Sequence, residues 1–373
     1  MPKKTYMAAA DLLRVISVFL IACFHIWQQS WLDARFWIFG REIYLTSLIR
    51  RGYMMVDLML LLSGFLLFLP YAGGRSVPVR QFYGKRLRRI VPSYVFAVLA
   101  ALIFALCRSG GAPYVPLGKD LLLHLTFTQT FTRPTYLWTS LNVALWTVCI
   151  EMQFYLLFPW IARQFSRRPA LTFGCMLGMG LLCRGLLLRV EDVSVLFNQL
   201  PCMIDLYACG MLAAYLSVNG KKRPGTLLSA AGSLVCLIGI LWILIAQNPA
   251  NDRELNQLQM LWRLPLGILG GGFLYCGSGW GARLDRIVGN RALRFLSGIS
   301  YNFYIWHQYL AVKLKEWHLP PYLTDMPQQY EGHVWQVKYT WLCFLAALAA
   351  AALTTYLIEK PCARWLEKRK FPL

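Results

Sequence analysis

The chain has 373 residues, of which 57% are hydrophobic and only 15% are charged, and its mean hydropathy is +0.46. In soluble proteins about a quarter of all residues are charged, so this composition excludes an ordinary soluble enzyme and indicates a polytopic membrane protein. The net charge of +21 does not indicate nucleic-acid binding, because Arg and Lys cluster in the short connections between apolar blocks, as the positive-inside rule predicts.

Hydropathy predicts ten membrane-spanning helices, because the apolar residues fall into blocks of roughly 20, the length of a helix that crosses a bilayer. The predicted spans are 8–29, 45–70, 90–107, 137–161, 170–188, 198–218, 226–246, 258–278, 296–316 and 337–358. The even-numbered connections are the more basic ones, which places both termini in the cytoplasm. The expected fold class is therefore all-α, a polytopic membrane helix bundle in which residues 1–373 form a single transmembrane domain without an appended soluble domain.

Two shorter features complete this topology. The stretch "DLLLHLTFTQTF" at 120–131 is too short to cross a membrane and predicts a re-entrant or interfacial helix. The basic start "MPKK" precedes a first apolar segment that lacks a clear cleavage site, so we interpret that segment as a retained span. The eleven Cys show no CxxC spacing, and no cluster has metal-ligand spacing. Six of them lie inside apolar stretches and are predicted to be small buried side chains rather than disulfides or zinc ligands: Cys23, Cys149, Cys183, Cys209, Cys236 and Cys343.

The first span carries an Arg and a His in the segment "RVISVFLIACFH". Arg14 and His25 are eleven residues apart, which returns them to nearly the same helix face, roughly 16 Å apart along the axis. With the predicted topology, Arg14 lies toward the cytoplasm and His25 toward the outside, and Asp11 is placed to pair with Arg14. A lone His on an apolar helix is more often a hydrogen-bonded core residue, but its neutral imidazole also suits a general base.

Three carboxyl groups also lie inside predicted spans, where each charge costs a few kcal/mol. Glu151, in the middle of span four, is either the structural partner of a buried Arg or a group that orients the imidazole of His25. Asp57 and Asp205 lack such a local constellation, so structural ion pairing is the favoured interpretation for both.

The segment "FYGKRLRRIVPSYV" places Lys85, Arg86, Arg88 and Arg89 directly before span three. A topology signal would account for these basic residues. A guanidinium group can also donate two hydrogen bonds to phosphate oxygens in a bidentate contact, which favours a site for a phosphorylated ligand. Pro92 is expected in the first turn of that span.

Span nine, "LRFLSGISYNFYIWHQYL", is unusually rich in polar residues. Such residues often only join neighbouring membrane helices. Their density here exceeds that need and indicates the lining of a cavity; the residues are Ser300, Tyr301, Asn302, Tyr304 and His307.

Taken in order, these motifs resemble the acyltransferase-3 family of integral membrane acyltransferases over nearly the whole chain. Arg14 and His25 fit the family's first-span signature, a basic residue and a His with ten residues between them. Further matches are Ser63, Gly64 and Phe65; Arg86, Arg89 and Pro92; Trp146, Glu151, Phe154, Tyr155 and Pro159; and the closing segments "ISYNFYIWH" and "IEKP". The chain departs from the family at Leu12, where Asp-Gly commonly leads in, and at Met152, where a second acid is common.

The resemblance implies an O-acetyltransferase that moves an acyl group, usually acetyl, from cytoplasmic acyl-CoA to a hydroxyl of a sugar or cell-envelope glycan. It implies acyl-CoA as donor substrate, no tightly bound cofactor, a glycan or lipid-linked sugar as acceptor, and a place among the lipids of a bacterial cytoplasmic membrane. It assigns catalysis to His25, as base or acyl carrier, and to Glu151. The residues expected to contact substrate or acyl-CoA are Arg14, Arg86, Arg88, Arg89, Ser63, Tyr301, Asn302 and His307.

Two other functions remain open on the sequence. A bundle with buried Arg, His and Glu is also compatible with a transporter of a small solute or amino acid, and a similar membrane module is fused to a serine racemase in glycopeptide resistance. A membrane scaffold is the third option, but it gives the buried ionisable residues no purpose. The oligomeric state and the acceptor are not readable from the residues.

Overall fold

The computed structural model describes residues 7–38, 41–107, 113–220, 225–247 and 251–368, and within these ranges it contains ten helices of 18 or more residues. The long helices are α1 (Ala8–Ser30), α2 (Met55–Ala72), α3 (Val79–Leu106), α4 (Trp146–Arg167), α5 (Pro169–Leu187), α6 (Leu200–Asn219), α7 (Thr226–Ala246), α8 (Asp252–Gly277), α9 (Arg291–Glu316) and α10 (Gly332–Leu353). Each coincides with one predicted span, and the all-α fold class is confirmed for these elements.

Shorter elements connect the long helices. An antiparallel hairpin, β1 (Arg35–Ile38) and β2 (Arg41–Tyr44), follows α1 and was not predicted. The short helices are Thr46–Arg50, Gly52–Met54, Leu117–Leu125, Gln129–Phe131, Arg133–Leu137, Val143–Leu145, Ala282–Val288, Pro327–Tyr330, the π-helix Thr354–Glu359 and Lys360–Lys368. The helix at Leu117–Leu125 lies in the stretch predicted to be too short to cross.

The protein is a multi-pass membrane protein, as predicted. Eight described helices, α1 to α7 and the segment Gly332–Lys368 that contains α10, have the length and apolar composition needed to cross a membrane. Helices α8 and α9 start with charged residues and are not among these eight. The count of ten spans and the cytoplasmic placement of both termini therefore stay predictions.

Some predicted topology signals lie outside the described residues. They are the "MPKK" segment, the basic residues at 221–223 in the sixth connection, and Arg369 and Lys370 near the end of the chain.

Helix α3 differs from its predicted span. It begins at Val79, well before residue 90, so the basic segment 85–89 is helical and Pro92 lies inside the helix. The prediction that Pro92 stands in the first turn was wrong. Hydropathy marks only the apolar part of a helix, whereas the basic residues extend the same helix beyond it.

The chain divides into two compact units, and the first comprises Met1–Ile21, Arg51–Val77 and Leu157–Gly298. Its centre is the crossing of α2 and α6, where Gly64 faces the backbone of Tyr207 and Gly210 faces the backbone of Leu61. A side chain at either glycine would meet main-chain atoms, so glycine permits this close approach.

The second unit comprises Ala22–Arg50, Pro78–Leu156 and Ile299–Leu373. The end of α1, the second half of α9 and α10 share an apolar cluster that includes Ile26, Leu314 and Trp335, and Tyr339 donates to the carbonyl of Ala311. In the loop before the hairpin, hydrogen bonds from Thr46 and Arg35 lower the pKa of Asp33.

Candidate active site

The structure distributes the predicted site residues over the two units. Arg14 and Ser63 belong to the first unit. The second unit holds His25, Arg86, Arg88, Arg89, Glu151, Tyr301, Asn302 and His307. The second unit alone therefore contains both predicted catalytic residues, the basic segment and the polar part of α9.

His25 and His307 face each other in this unit. The centroids of their rings are 5.2 Å apart at an interplanar angle of 50°. The His25 Nδ1 atom lies 3.1 Å from the Oε1 atom of Gln28, one turn further along α1. When Nδ1–H donates to that oxygen, Nε2 of His25 carries the lone pair of a neutral base. The helix α1 is continuous from Ala8 to Ser30, so Arg14 and His25 lie on the same helix, as predicted.

One hydrogen bond sets the tautomer of His307. Its Nδ1 atom lies 2.6 Å from the carbonyl oxygen of Tyr304, which can only accept, so Nδ1 carries the proton. The Nε2 atom of this fully buried ring then presents a lone pair and has no hydrogen-bond partner in the described structure. A buried acceptor left unsatisfied costs about 1–3 kcal/mol, so this atom is suited to a proton or a polar ligand group.

Glu151 is held by a tyrosine on its own helix. The hydroxyl of Tyr155 donates to Oε1 of Glu151 over 2.6 Å, an i,i+4 contact on α4. Glu151 also lies within electrostatic range of Tyr301 and Tyr304 on α9. His25 lies beside the ring of His307 and within hydrogen-bonding distance of Gln28, and the expectation that Glu151 orients His25 stays a prediction.

A second group of polar side chains lies on α9, one to two turns before His307. Asn302 is fully buried and donates to Oε2 of Glu359 at 2.7 Å and to Thr355 at 2.8 Å. Tyr301 donates to the carbonyl of Ile90 on α3 at 3.2 Å. Thr355 and Glu359 belong to the π-helix Thr354–Glu359, and such irregular turns occur frequently at functional sites.

Sequence reasoning missed Glu359. It lies in the quoted "IEKP" motif, which was noticed without assigning a role to the acid. The available signal was an acidic residue at the end of the last predicted apolar block.

The basic segment is divided by the orientation of its side chains. Arg88 turns back onto its own helix, where Nε donates to the carbonyl of Gly84 at 2.9 Å. Arg86 and Arg89 lie within electrostatic range of Tyr155, and Arg89 also of Glu359. Both arginines are therefore near the Tyr155 and Glu151 pair of α4, and Arg89 is also near Glu359, the partner of Asn302 on α9, whereas Arg88 contacts its own helix.

In the first unit, Arg14 is held by polar neighbours. Its Nη1 atom lies 3.5 Å from Asp11 and 3.0 Å from the hydroxyl of Ser297, which donates to Asp11 at 2.6 Å. The predicted i,i+3 pair is confirmed. Ser63, half-buried on α2, lies in the same unit.

Two buried ion pairs in the first unit account for Asp57 and Asp205. Arg263 donates from Nε to both carboxylate oxygens of Asp57 at 3.2 Å, and Arg184 binds Asp205 through two bonds of 2.8 and 2.7 Å. Structural pairing of both acids is confirmed. The sequence list of intramembrane charges omitted Arg184 and Arg263, although each lies inside a predicted span.

No group of three or more His, Cys, Asp or Glu side chains in the described part of the chain is arranged to hold a metal ion. The polar groups described above in the second unit are hydroxyls, amides, imidazoles, guanidinium groups and the separate carboxylates of Glu151 and Glu359. They are suited to hydrogen bonding, proton transfer and anion binding.

Comparison with known protein families shows which family the chain belongs to. The sequence model of the acyltransferase-3 family, described as an acyltransferase domain, matches residues 7–359. The chain belongs to the acyltransferase-3 family. The match covers both histidines, the basic segment, Glu151 and Glu359, and it confirms the predicted family and enzyme class.

Individual relatives of this acyltransferase-3 protein are distant. ORF330 of Acidianus two-tailed virus, named as a candidate acetyltransferase, is 24% identical over 82% of this chain and 83% of its own length. The peptidoglycan O-acetyltransferase OatA of Listeria monocytogenes is 23% identical over 82% of this chain and 49% of its own length. A candidate O-acetyltransferase of Staphylococcus aureus, SAS0844, is 22% identical over 82% of this chain and 50% of its own length. The chain thus spans about half the length of the two latter relatives, and no solved structure matches it.

Proposed function

We propose that this protein is a membrane O-acetyltransferase that moves an acetyl group from acyl-CoA to a hydroxyl of a cell-envelope saccharide. Its family membership supplies the reaction class. The names of OatA and the S. aureus relative, acetyltransferases acting on oxygen and in one case on peptidoglycan, favour a sugar hydroxyl as the acceptor.

The observation that carries this proposal is the facing pair of imidazoles in the second unit. Transfer to a hydroxyl needs a base that removes the hydroxyl proton as the new ester bond forms. His25 offers such a base, and the ring of His307 lies against it with a buried lone pair on Nε2.

The proposed reaction involves the acceptor hydroxyl, the thioester of acyl-CoA and the imidazole of His25. His25 takes the proton of the acceptor hydroxyl, and the hydroxyl oxygen attacks the thioester carbonyl carbon. The tetrahedral intermediate collapses, the carbon–sulfur bond breaks, and the departing CoA thiolate takes the proton back from His25. The neutral ring of His307 lies against the transient imidazolium, and the buried lone pair on its Nε2 atom stabilises the charged state of His25. The account uses His25 as a base and needs no acyl-histidine.

The donor is proposed to lie along the polar groups that lead to this pair. Arg86 and Arg89 bind CoA phosphates, since guanidinium groups match phosphate oxygens. Glu151 and Glu359 fix those arginines by their charge, and Tyr301 and Asn302 line the way toward His307. Six residues separate Tyr301 from His307, a rise of about 9 Å along α9.

Arg14 and Ser63 belong to the first unit, and their contacts with the donor stay predictions. Arg14 lies about 16 Å from His25 along α1, on the side assigned to the cytoplasm. Its guanidinium group is suited to guiding the pantetheine arm.

The donor assignment is tested by acetyl-CoA kinetics with the full chain in lipid nanodiscs. Arg86→Ala and Arg89→Ala each remove charge-assisted contacts to phosphate and are expected to raise the KM for acetyl-CoA about tenfold. Arg75→Ala is the matched control, because it removes an exposed basic residue from the same predicted loop. Unchanged acetyl-CoA KM values in both arginine variants would contradict the assignment of these two residues to the donor.

A further inference from the structure

The second unit contains an open cleft with a volume of about 370 Å³. Its floor is formed by α9, and its walls are formed by the segment from Pro113 and the loop 138–143. Volumes of this size are typical of small-molecule sites. The lining residues used below are Tyr114, Trp138, Ser140, Gln308, Tyr309 and Lys313.

One end of the cleft lies next to His307 along the sequence of α9. Gln308 on its floor follows His307 in the sequence of α9. On the wall, Asn142 donates from Nδ2 to the carbonyl of Ile305 at 2.9 Å, which ties the loop to the same turn of α9. The end of the cleft at Gln308 and Tyr309 therefore lies within about one helical turn of His307 along the axis of α9.

Aromatic rings form one wall of the cleft. The rings of Tyr114 and Trp138 have centroids 4.7 Å apart, and these side chains are 68% and 42% exposed. The guanidinium group of Arg133 lies 5.5 Å from the Trp138 ring. Flat apolar rings that remain exposed beside polar groups suit the mixed apolar and hydroxylated faces of a sugar.

The floor of the cleft holds a buried hydroxyl without a partner. Tyr309 is only 6% exposed, and its hydroxyl makes no hydrogen bond in the described structure. Its ring packs against Trp306 and Phe104, at 6.2 and 6.4 Å between centroids. Buried hydroxyls are normally hydrogen-bonded, so a polar ligand group in the cleft would complete this one.

The loop that forms the wall is fixed from beneath by Asp120. This fully buried carboxylate accepts from the hydroxyl of Thr139 at 2.7 Å and from the backbone N–H of Ser140 at 3.0 Å. His124 lies 3.2 Å from the other carboxylate oxygen. The wall is therefore preformed, as expected for a binding site.

The charge of the rim favours a neutral ligand. Lys313 and Glu316 pair at 2.8 Å, so the only cation and the only anion among the residues that line this cleft neutralise each other. A phosphorylated ligand would need an unpaired cation.

We propose that this cleft binds the neutral saccharide acceptor, with Tyr114 and Trp138 stacked on a sugar ring and Tyr309 and Gln308 hydrogen-bonded to its hydroxyls. This proposal rests on the proposed function and adds the place where the acceptor binds. It directs a sugar hydroxyl toward the pair formed by His25 and His307, the side on which Gln308 lies.

The test uses the full chain in nanodiscs with chitotetraose as probe. Titration calorimetry gives its Kd, and acetyl transfer gives the KM for chitotetraose and for acetyl-CoA. Trp138→Ala is expected to raise the chitotetraose Kd and KM about tenfold, since aromatic anchors dominate such contacts. Tyr309→Phe keeps the ring and removes only the hydroxyl, so a smaller increase of about fivefold is expected. The control is Trp341→Ala, which removes an exposed Trp on α10.

The outcomes separate this proposal from the proposed function. Wild-type affinity for chitotetraose in both Trp138→Ala and Tyr309→Phe, or no binding by the wild type, would overturn the acceptor cleft even if acetyl-CoA is turned over. Chitotetraose binding that depends on both residues supports the cleft. If the wild type shows such binding yet never cleaves acetyl-CoA, the cleft stands and the transferase function fails.

Discussion

The imidazole of His307 shows how one backbone contact can prepare a side chain for chemistry. Donation from Nδ1 to the Tyr304 carbonyl leaves Nε2 as an acceptor, and full burial keeps water away from it. Under the proposed function, the lone pair of this atom stabilises the positive charge that the neighbouring His25 carries during the reaction. Neither ring alone has this property, since it depends on the tautomer of one and the proximity of the other.

Replacing His307 by Gln is expected to reduce kcat for acetyl transfer by about 10²-fold, because a positioned proton acceptor contributes 10²–10⁴ in rate. The KM for acetyl-CoA should change little, since the phosphate contacts are made elsewhere. The measurement is steady-state kinetics of the purified chain with acetyl-CoA and chitotetraose.

His333→Gln serves as the control for this substitution, because His333 is exposed and lies at the start of α10. A His307→Gln variant with wild-type kcat would remove His307 from the mechanism. A variant that loses activity only through a raised acetyl-CoA KM would instead place His307 at the donor.

For individual residues, the sequence indicated candidate site residues but not the contacts between them. The density of polar residues in "ISYNFYIWH" pointed to His307, and the spacing in span one pointed to His25. Their pairing was not predicted, because it depends on which helices are neighbours and no local pattern encodes that. The same limit applies to Asp57, whose need for a partner was clear while its partner Arg263 comes from α8.

Among the helices, the crossing of α2 and α6 depends on two glycines. Gly64 and Gly210 let the two backbones approach until an added Cβ would meet main-chain atoms. Main-chain atoms of a packed helix cannot move aside as a flexible side chain can. The sequence supplied Gly64 as part of a family motif, whereas the role of Gly210 appears only from the packing.

Gly210→Ala is expected to lower the free energy of unfolding by about 1–3 kcal/mol through overpacking, seen as a lower midpoint of thermal unfolding in detergent. Gly174→Ala is the matched control, because Gly174 lies inside α5 with open space around its Cβ position. Alanine there should stabilise the helix by up to about 1 kcal/mol. Equal midpoints for the two variants would show that the close approach of α2 and α6 does not matter.

The hairpin and the basic start of α3 show where element prediction fails. The segment 35–44 is too short to show a periodic hydrophobic pattern, so the sequence predicted only a connection between spans there. The start of α3 is helical but not apolar, and a hydropathy window therefore began the span too late.

For the whole molecule, the proposed function implies a substrate path from the basic segment 85–89 of α3 to the outer cleft on α9. The second unit holds Arg86 and Arg89 at one end of that path, the imidazole pair in its middle and the cleft beyond His307. The predicted topology, in which basic connections face the cytoplasm, gives the path its direction. This direction stays a prediction from composition and loop charge, whereas the cleft could not be predicted because distant segments form it.

The most direct test of the central claim is acetyl transfer across a membrane by the full chain in proteoliposomes, with acetyl-CoA sealed inside and chitotetraose outside. The account predicts acetylated chitotetraose in the external medium, detected by mass spectrometry, and about 10²-fold less or lower still from His25→Ala. Undiminished product from His25→Ala, or no product from the wild type, would contradict it.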